Sequence, residues 1–181
     1  MRCVPAHDFT VAKARAWRSA IDDDPSYQRR GDLWSLAQQQ RFIDSLLNGY
    51  DVPKFYLHDL RGIEPNRVYA VVDGKQRLHA IWSFLDDGFC LAAGFRIESV
   101  PSPALDAAEP PQAGMRFSEL EPRWRAALLG THLSAVLIQD ADLADIDELF
   151  ARLNDGVPFH PSQRATASKR RQSAPLDERA S

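Results

Sequence analysis

The sequence predicts a single α/β or α+β domain, a small mixed sheet flanked by helices, and three observations carry that prediction. A β-branched apolar run, Val68 to Val72, halts at Asp73-Gly74 and gives way to Leu78, Ile81, Trp82 and Leu85 at helical spacing. Between residues 35 and 85 the patterns alternate in the order helix, strand, strand, helix. A chain of 181 residues suits one domain with a real core, since domains cluster at roughly 100 to 200 residues.

Taken in order, Val11, Ala14, Trp17 and Ile21 fit a short helix with one apolar stripe, ending before Asp22-Asp23-Asp24-Pro25, where proline disfavours helix. Ser26 to Arg30 is polar and non-periodic and reads as a surface loop or short strand. Ser35 with Gln38 forms a capping box, opening a helix whose buried face is Leu36, Phe42, Ile43, Leu46 and Leu47, and Gly49 suits its C′ position. Val52 to Leu57 reads as a strand entered through Pro53, and Val68 to Val72 as the next strand. The Leu78 to Leu85 helix follows, then a short strand around Phe89 to Leu91 and a long exposed loop from Pro101 to Gly114. A helix from Pro122 to Leu129 stopped by Gly130, a buried strand from His132 to Ile138 and an amphipathic helix from Ala144 to Leu153 complete the pattern. The domain is expected to span residues 1–164, and residues 165–181 to form a disordered polar tail in which Lys169-Arg170-Arg171 is simply solvated.

Composition narrows the function. Hydrophobic content of 44% and charged content of 26% are those of a soluble globular protein. No apolar run approaches the roughly 20 residues that span a bilayer, and the first residues lack a signal-peptide core. A cytoplasmic protein with no membrane partner is expected. A net charge of −3 and a pI near 5.9 argue against nucleic-acid binding through bulk electrostatics. Cys3 and Cys90 are too few and too far apart for a disulfide framework or a zinc site.

The strand-to-helix junction at Asp73-Gly74-Lys75-Gln76-Arg77 carries the chemistry. Unpaired N–H groups and the helix dipole there attract negative charge, Gly74 permits close backbone approach, and the Arg77 guanidinium can fork onto phosphate oxygens. Lys75 adds a point charge. A purely local reading stands beside this one: Asp73 and Gln76 also spell a capping box, and Arg77 can pair with Asp73 one turn back. His79, without a partner at metal spacing, reads as structural or solvated. Trp17, Trp34, Trp82 and Trp124 read as core or core rim.

Three ordered segments, Pro25-Ser26-Tyr27-Gln28-Arg29, Gln40 to Leu47 with Val52-Pro53, and Val71 to Leu78, resemble the domain of unknown function 262. That is the N-terminal domain of GmrSD-type restriction systems, related to the ParB and sulfiredoxin fold. Phe150 to Pro158 resembles the family's later segment, in which a helix ends in Arg-Leu-Asn and a glycine turn, so the resemblance covers about residues 9–164. It implies a domain that binds or hydrolyses a nucleoside triphosphate with Mg²⁺ in a system attacking modified or foreign DNA. Asp73, Gly74, Lys75, Gln76 and Arg77 would form the phosphate end, with Asp73 and Arg77 catalytic if turnover occurs. Tyr27, Gln28, Arg29 and Asn154 would lie near the ligand, while the metal ligands and general base stay unassigned. The expected partners are the nucleotide, modified DNA, and a separate HNH-type nuclease subunit, since no His-rich catalytic segment follows Asn154. A second reading is a non-catalytic, ParB-like DNA- or partner-binding module, and a third a truncated remnant without activity.

Overall fold

A computed structural model describes residues 1–24 and 33–155 of the chain, with the side chains of Asn154 and Asp155 left out. Tyr27, Gln28, Arg29, the turn at Gly156 and the tail expected beyond residue 164 lie outside the described residues.

Five strands, β1 (Arg2–Ala6), β2 (Ile21–Asp22), β3 (Phe55–Asp59), β4 (Tyr69–Asp73) and β5 (Ala135–Gln139), form one sheet in the order β1-β5-β3-β4-β2. The β1–β5 and β3–β4 pairs are antiparallel and the β3–β5 and β2–β4 pairs parallel, so the sheet is mixed. Its helices are α1 (Val11–Ala16), α2 (Leu36–Leu47), α3 (Lys75–Leu85), α4 (Pro122–Gly130) and α5 (Leu143–Asp155). The expected small mixed sheet flanked by helices is what the chain forms.

Alternation along the strands sorts side chains between two faces. Phe55, Leu57, Tyr69 and Val71 point into the main core, where Phe42, Ile43 and Leu46 of α2, Leu78 and Ile81 of α3, and Trp124 of α4 meet them. Val72 and Ile138 point the other way, onto Ile146 and Leu149 of α5. β4 is therefore covered on both sides, which is why its sequence is a continuous apolar run rather than an alternating one.

The capping box of Ser35 and Gln38 forms as the sequence predicts. The end of α2 is a Schellman motif: Gly49 at φ 72° donates to the Leu46 carbonyl, and Tyr50 donates to that of Ser45. Trp82 and Trp124 are core, while Trp17 and Trp34 pack against it partly buried.

Several local readings are corrected by tertiary pairing. Ile21 is not on the first helix: α1 ends at Ala16, and after one 3₁₀ turn Ile21 pairs with Tyr69 as part of β2. No strand forms at Phe89 to Leu91; the buried side chains of Phe89 and Leu91 instead pin a loop, with Leu91 exchanging backbone hydrogen bonds with Gly114 and Met115. The segment from Pro101 to Gly114 is irregular except for one 3₁₀ turn, but it is anchored by buried Leu105 and Ala108 rather than wholly exposed. Strand β1 goes unpredicted because an edge strand containing Pro5 has neither an apolar run nor a full set of donors.

Candidate functional site

Strand β4 delivers Asp73 to the start of α3, and the helix N-cap is Gly74, held at φ 106° with no side-chain cap. The capping box expected from Asp73 and Gln76 does not form, because Asp73 still belongs to β4, paired with Tyr56, and Gln76 bonds elsewhere. The first amides of α3 are thus left without a side-chain acceptor from the N-cap, and no acidic residue occupies the first turn.

The glycine has a second reason to be there. A Cβ on Gly74 would lie 2.5 Å from Cδ1 of buried Phe55 and 3.3 Å from Nη2 of Arg77. Close backbone approach at this residue is therefore approach to a protein side chain.

Arg77 is a held arginine. Its Nη2 donates to Asp73 Oδ2 at 2.7 Å and to the Lys54 carbonyl at 3.0 Å, and its guanidinium sits 5.2 Å from the Phe55 ring centroid. Only 12% of the side chain is exposed, and Nε is buried with no partner among the described residues. Lys75 turns elsewhere, to Asp24 Oδ1 at 2.6 Å. In this state two carboxylates, Asp73 and Asp24, provide the negative charge that two basic residues at a positive helix end require.

The polar face of α3, Gln76, His79, Ser83 and the following Asp86, lines a cleft of about 880 Å³. Across it stand Arg15, Arg18 and Ser19 from the end of α1 and the turn after it, then Asp23, Trp34 just ahead of α2, and Gln39 near the start of that helix. His79 Nε2 lies 2.5 Å from Asp23 Oδ2, and its ring leans on Trp82 at 5.6 Å between centroids. Arg18 covers the other ring system, pairing with Asp86 and lying 5.3 Å from the Trp82 centroid.

The junction motif thus divides. Asp73, Gly74 and Arg77 come together beside Phe55, whereas Lys75 and Gln76 face Asp24 and Trp34. Asn154 falls in the last turn of α5, which packs on β4 from the face opposite the main core. Sequence reading did not pick out Arg15, Arg18, Asp23, Trp34 or Gln39, and it set His79 aside. A signal for the α3 face existed in the i, i+3, i+7 spacing of Gln76, His79 and Ser83, opposite the apolar stripe.

Among the described residues no group of three or more His, Cys, Asp and Glu side chains is placed to hold a metal ion. Mg²⁺ needs no such cage when phosphate oxygens supply most of its ligands, since one or two carboxylates then suffice. Asp73, with 43% of its side chain exposed and only Oδ2 engaged by Arg77, meets that lesser requirement.

A family model, the GmrSD restriction endonuclease N-terminal domain, matches residues 15–163. No curated protein and no solved structure matches the chain. The matched span contains α2, the Asp73 to Arg77 junction, every wall of the α3 cleft and all of α5. The chain belongs to the GmrSD restriction endonuclease N-terminal domain family, and its role lies in a restriction system.

Proposed function

We propose that the domain binds a nucleoside triphosphate with Mg²⁺, the phosphates at the first turn of α3 and the nucleoside along the adjoining cleft. One observation carries this reading: among the described residues no side chain caps the α3 N-terminus, and Gln76 of its first turn lines a cleft with Arg15, Arg18 and the rings of Trp34, His79 and Trp82. Uncapped amides and the helix dipole favour phosphate oxygens. Lys75 exchanges Asp24 for phosphate, and Arg15 and Arg18 add positive charge along the cleft. Asp73 would supply a carboxylate oxygen to the cation. When bound, Mg²⁺ neutralises phosphate charge and polarises the terminal phosphoryl group.

Hydrolysis is the further step of this reading. Arg77 would stabilise charge on the transferred phosphoryl through its remaining Nη1 donors or by giving up the Nη2 bonds to Asp73 and Lys54, so turnover sets it in competition with the bonds that brace the junction. The same locked pair favours a second reading, a DNA- or partner-binding module without turnover, in which Arg77 braces the strand-to-helix turn.

Calorimetry with ATP, GTP, CTP and UTP in Mg²⁺, followed by phosphate release with and without modified DNA, separates these readings. Binding that weakens about tenfold in Lys75→Ala, as loss of one charge-assisted hydrogen bond predicts, supports the nucleotide site. Binding without phosphate release supports the module. No binding by any of the four nucleotides overturns the proposal.

A further inference from the structure

Trp34 is held through its backbone from two sides. Its N–H donates to Gln76 Oε1 at 3.2 Å, and its carbonyl accepts from Gln39 Nε2 at 3.1 Å. A backbone N–H only donates and a backbone carbonyl only accepts, so these two bonds fix which end of each amide is oxygen and which is nitrogen. What is left over follows at once. Gln76 has its NH₂ to offer and Gln39 its oxygen, and both residues line the α3 cleft, as does Trp34. Neither remaining end has a partner among the described residues, and neither is among the buried unpaired atoms. The residues that line the cleft therefore include one amide whose free end is a donor and one whose free end is an acceptor, both held on the backbone of Trp34.

We infer that Gln39 and Gln76 read the Watson–Crick edge of a nucleobase and select between amino-edged bases (adenine, cytosine) and keto-edged bases (guanine, uracil or hypoxanthine). This rests on the nucleotide reading above. Each base carries a donor beside an acceptor on that edge, in one order for the amino bases and the reverse for the keto bases. The two glutamine ends cannot exchange places, because flipping either amide would set donor on donor or acceptor on acceptor at Trp34. With the phosphates fixed at the α3 N-terminus the ring enters in one orientation. One order of donor and acceptor is satisfied, and the other leaves two polar groups unpaired. A site built to hydrogen-bond a ligand discriminates strongly against a partner that leaves its groups unpaired, far more than a purely apolar pocket does. Gln39 is thus a specificity-determining residue, and Gln76 serves this edge rather than the phosphates.

Titration of the whole chain with MgATP and with Mg-inosine triphosphate tests this without any variant, because the two ligands share the purine and differ in amino against keto. Their affinities are expected to differ by about tenfold or more. In Gln39→Met the difference is expected to shrink severalfold while binding of Mg-tripolyphosphate, which has no base, stays as in the wild type. Equal affinity for the two purine nucleotides, or an unchanged ratio in a folded Gln39→Met, overturns the edge-reading pair and leaves the phosphate site standing. Failure of tripolyphosphate and of every nucleotide to bind overturns the nucleotide reading and this inference with it.

Discussion

Replacing Gly74 by alanine isolates what the packing at the strand-to-helix junction demands. The residue sits at φ 106°, and left-handed backbone costs an L-residue roughly 1–2 kcal/mol. The new Cβ would also stand 2.5 Å from Cδ1 of Phe55, a rigid ring that is 0% exposed, so something in the core must shift. Overpacking of this kind typically adds about 1–3 kcal/mol. Gly74→Ala should therefore lose about 2–5 kcal/mol, which in a domain of this size lowers Tm by roughly 5–15 °C. Urea and thermal unfolding followed by circular dichroism read the loss directly. A Phe55→Leu background supplies the decisive control, since removing the ring edge should return at least ~0.5 kcal/mol of the alanine cost through the coupling expected of residues in contact. A loss below ~1 kcal/mol, or the same loss in both backgrounds, would refute the packing argument and leave ligand approach as the reason for the glycine.

Two further outcomes depend on pH. Asp59 accepts hydrogen bonds from Arg61 at 2.6 and 2.8 Å and from Gln139 at 3.0 Å. The Arg61 guanidinium, helped by Gln139, holds its carboxyl down to about 2. A depressed folded pKa contributes stability that is present above the unfolded value near 4 and lost as pH falls through about 2. With Arg61 half exposed and screened, Asp59→Asn should cost about 1–2 kcal/mol at pH 7, and urea midpoints of variant and wild type should converge between pH 4 and pH 2. His58 behaves in the opposite range: burial pushes its pKa below the usual histidine value, and its Nε2 has no partner among the described residues. The unfolded chain then binds the extra proton, so stability should fall as pH drops below about 6.5. In His58→Phe that slope should flatten between pH 7 and 5 with no loss at pH 7, since the buried unpaired nitrogen is removed.

What was legible in the sequence is what short-range periodicity and turn chemistry determine. The α2 helix shows its capping box, its apolar face from Phe42 to Leu47 and its terminal Gly49 within one segment, whereas Leu36, read as part of that face, is exposed in the first turn. The α3 stripe and the β4 run are equally local, and the order of matching segments was enough to reveal the family. Strands that exist only through their neighbours were not legible. β1 is an exposed, Pro-bearing edge stabilised by pairing with β5, and β2 is two residues laid along β4. Phe89 and Leu91 misled for the converse reason, because an apolar pair buried under a loop looks like a short strand when the contacts are unknown.

The junction motif divides along the same line. By itself the sequence determined that Asp73, Gly74 and a helix start coincide, because a β-branched run, a flexible residue and helical spacing are properties of consecutive residues. Only the tertiary structure decided that Arg77 lies against Phe55 and Asp73 while Gln76 reaches Trp34, 42 positions away in the chain, and that His79 meets Asp23 across the cleft. Adjacent positions on a helix point about 100° apart. Which direction meets a partner is set by the sheet and by the chain that packs beside it, and no local pattern records that.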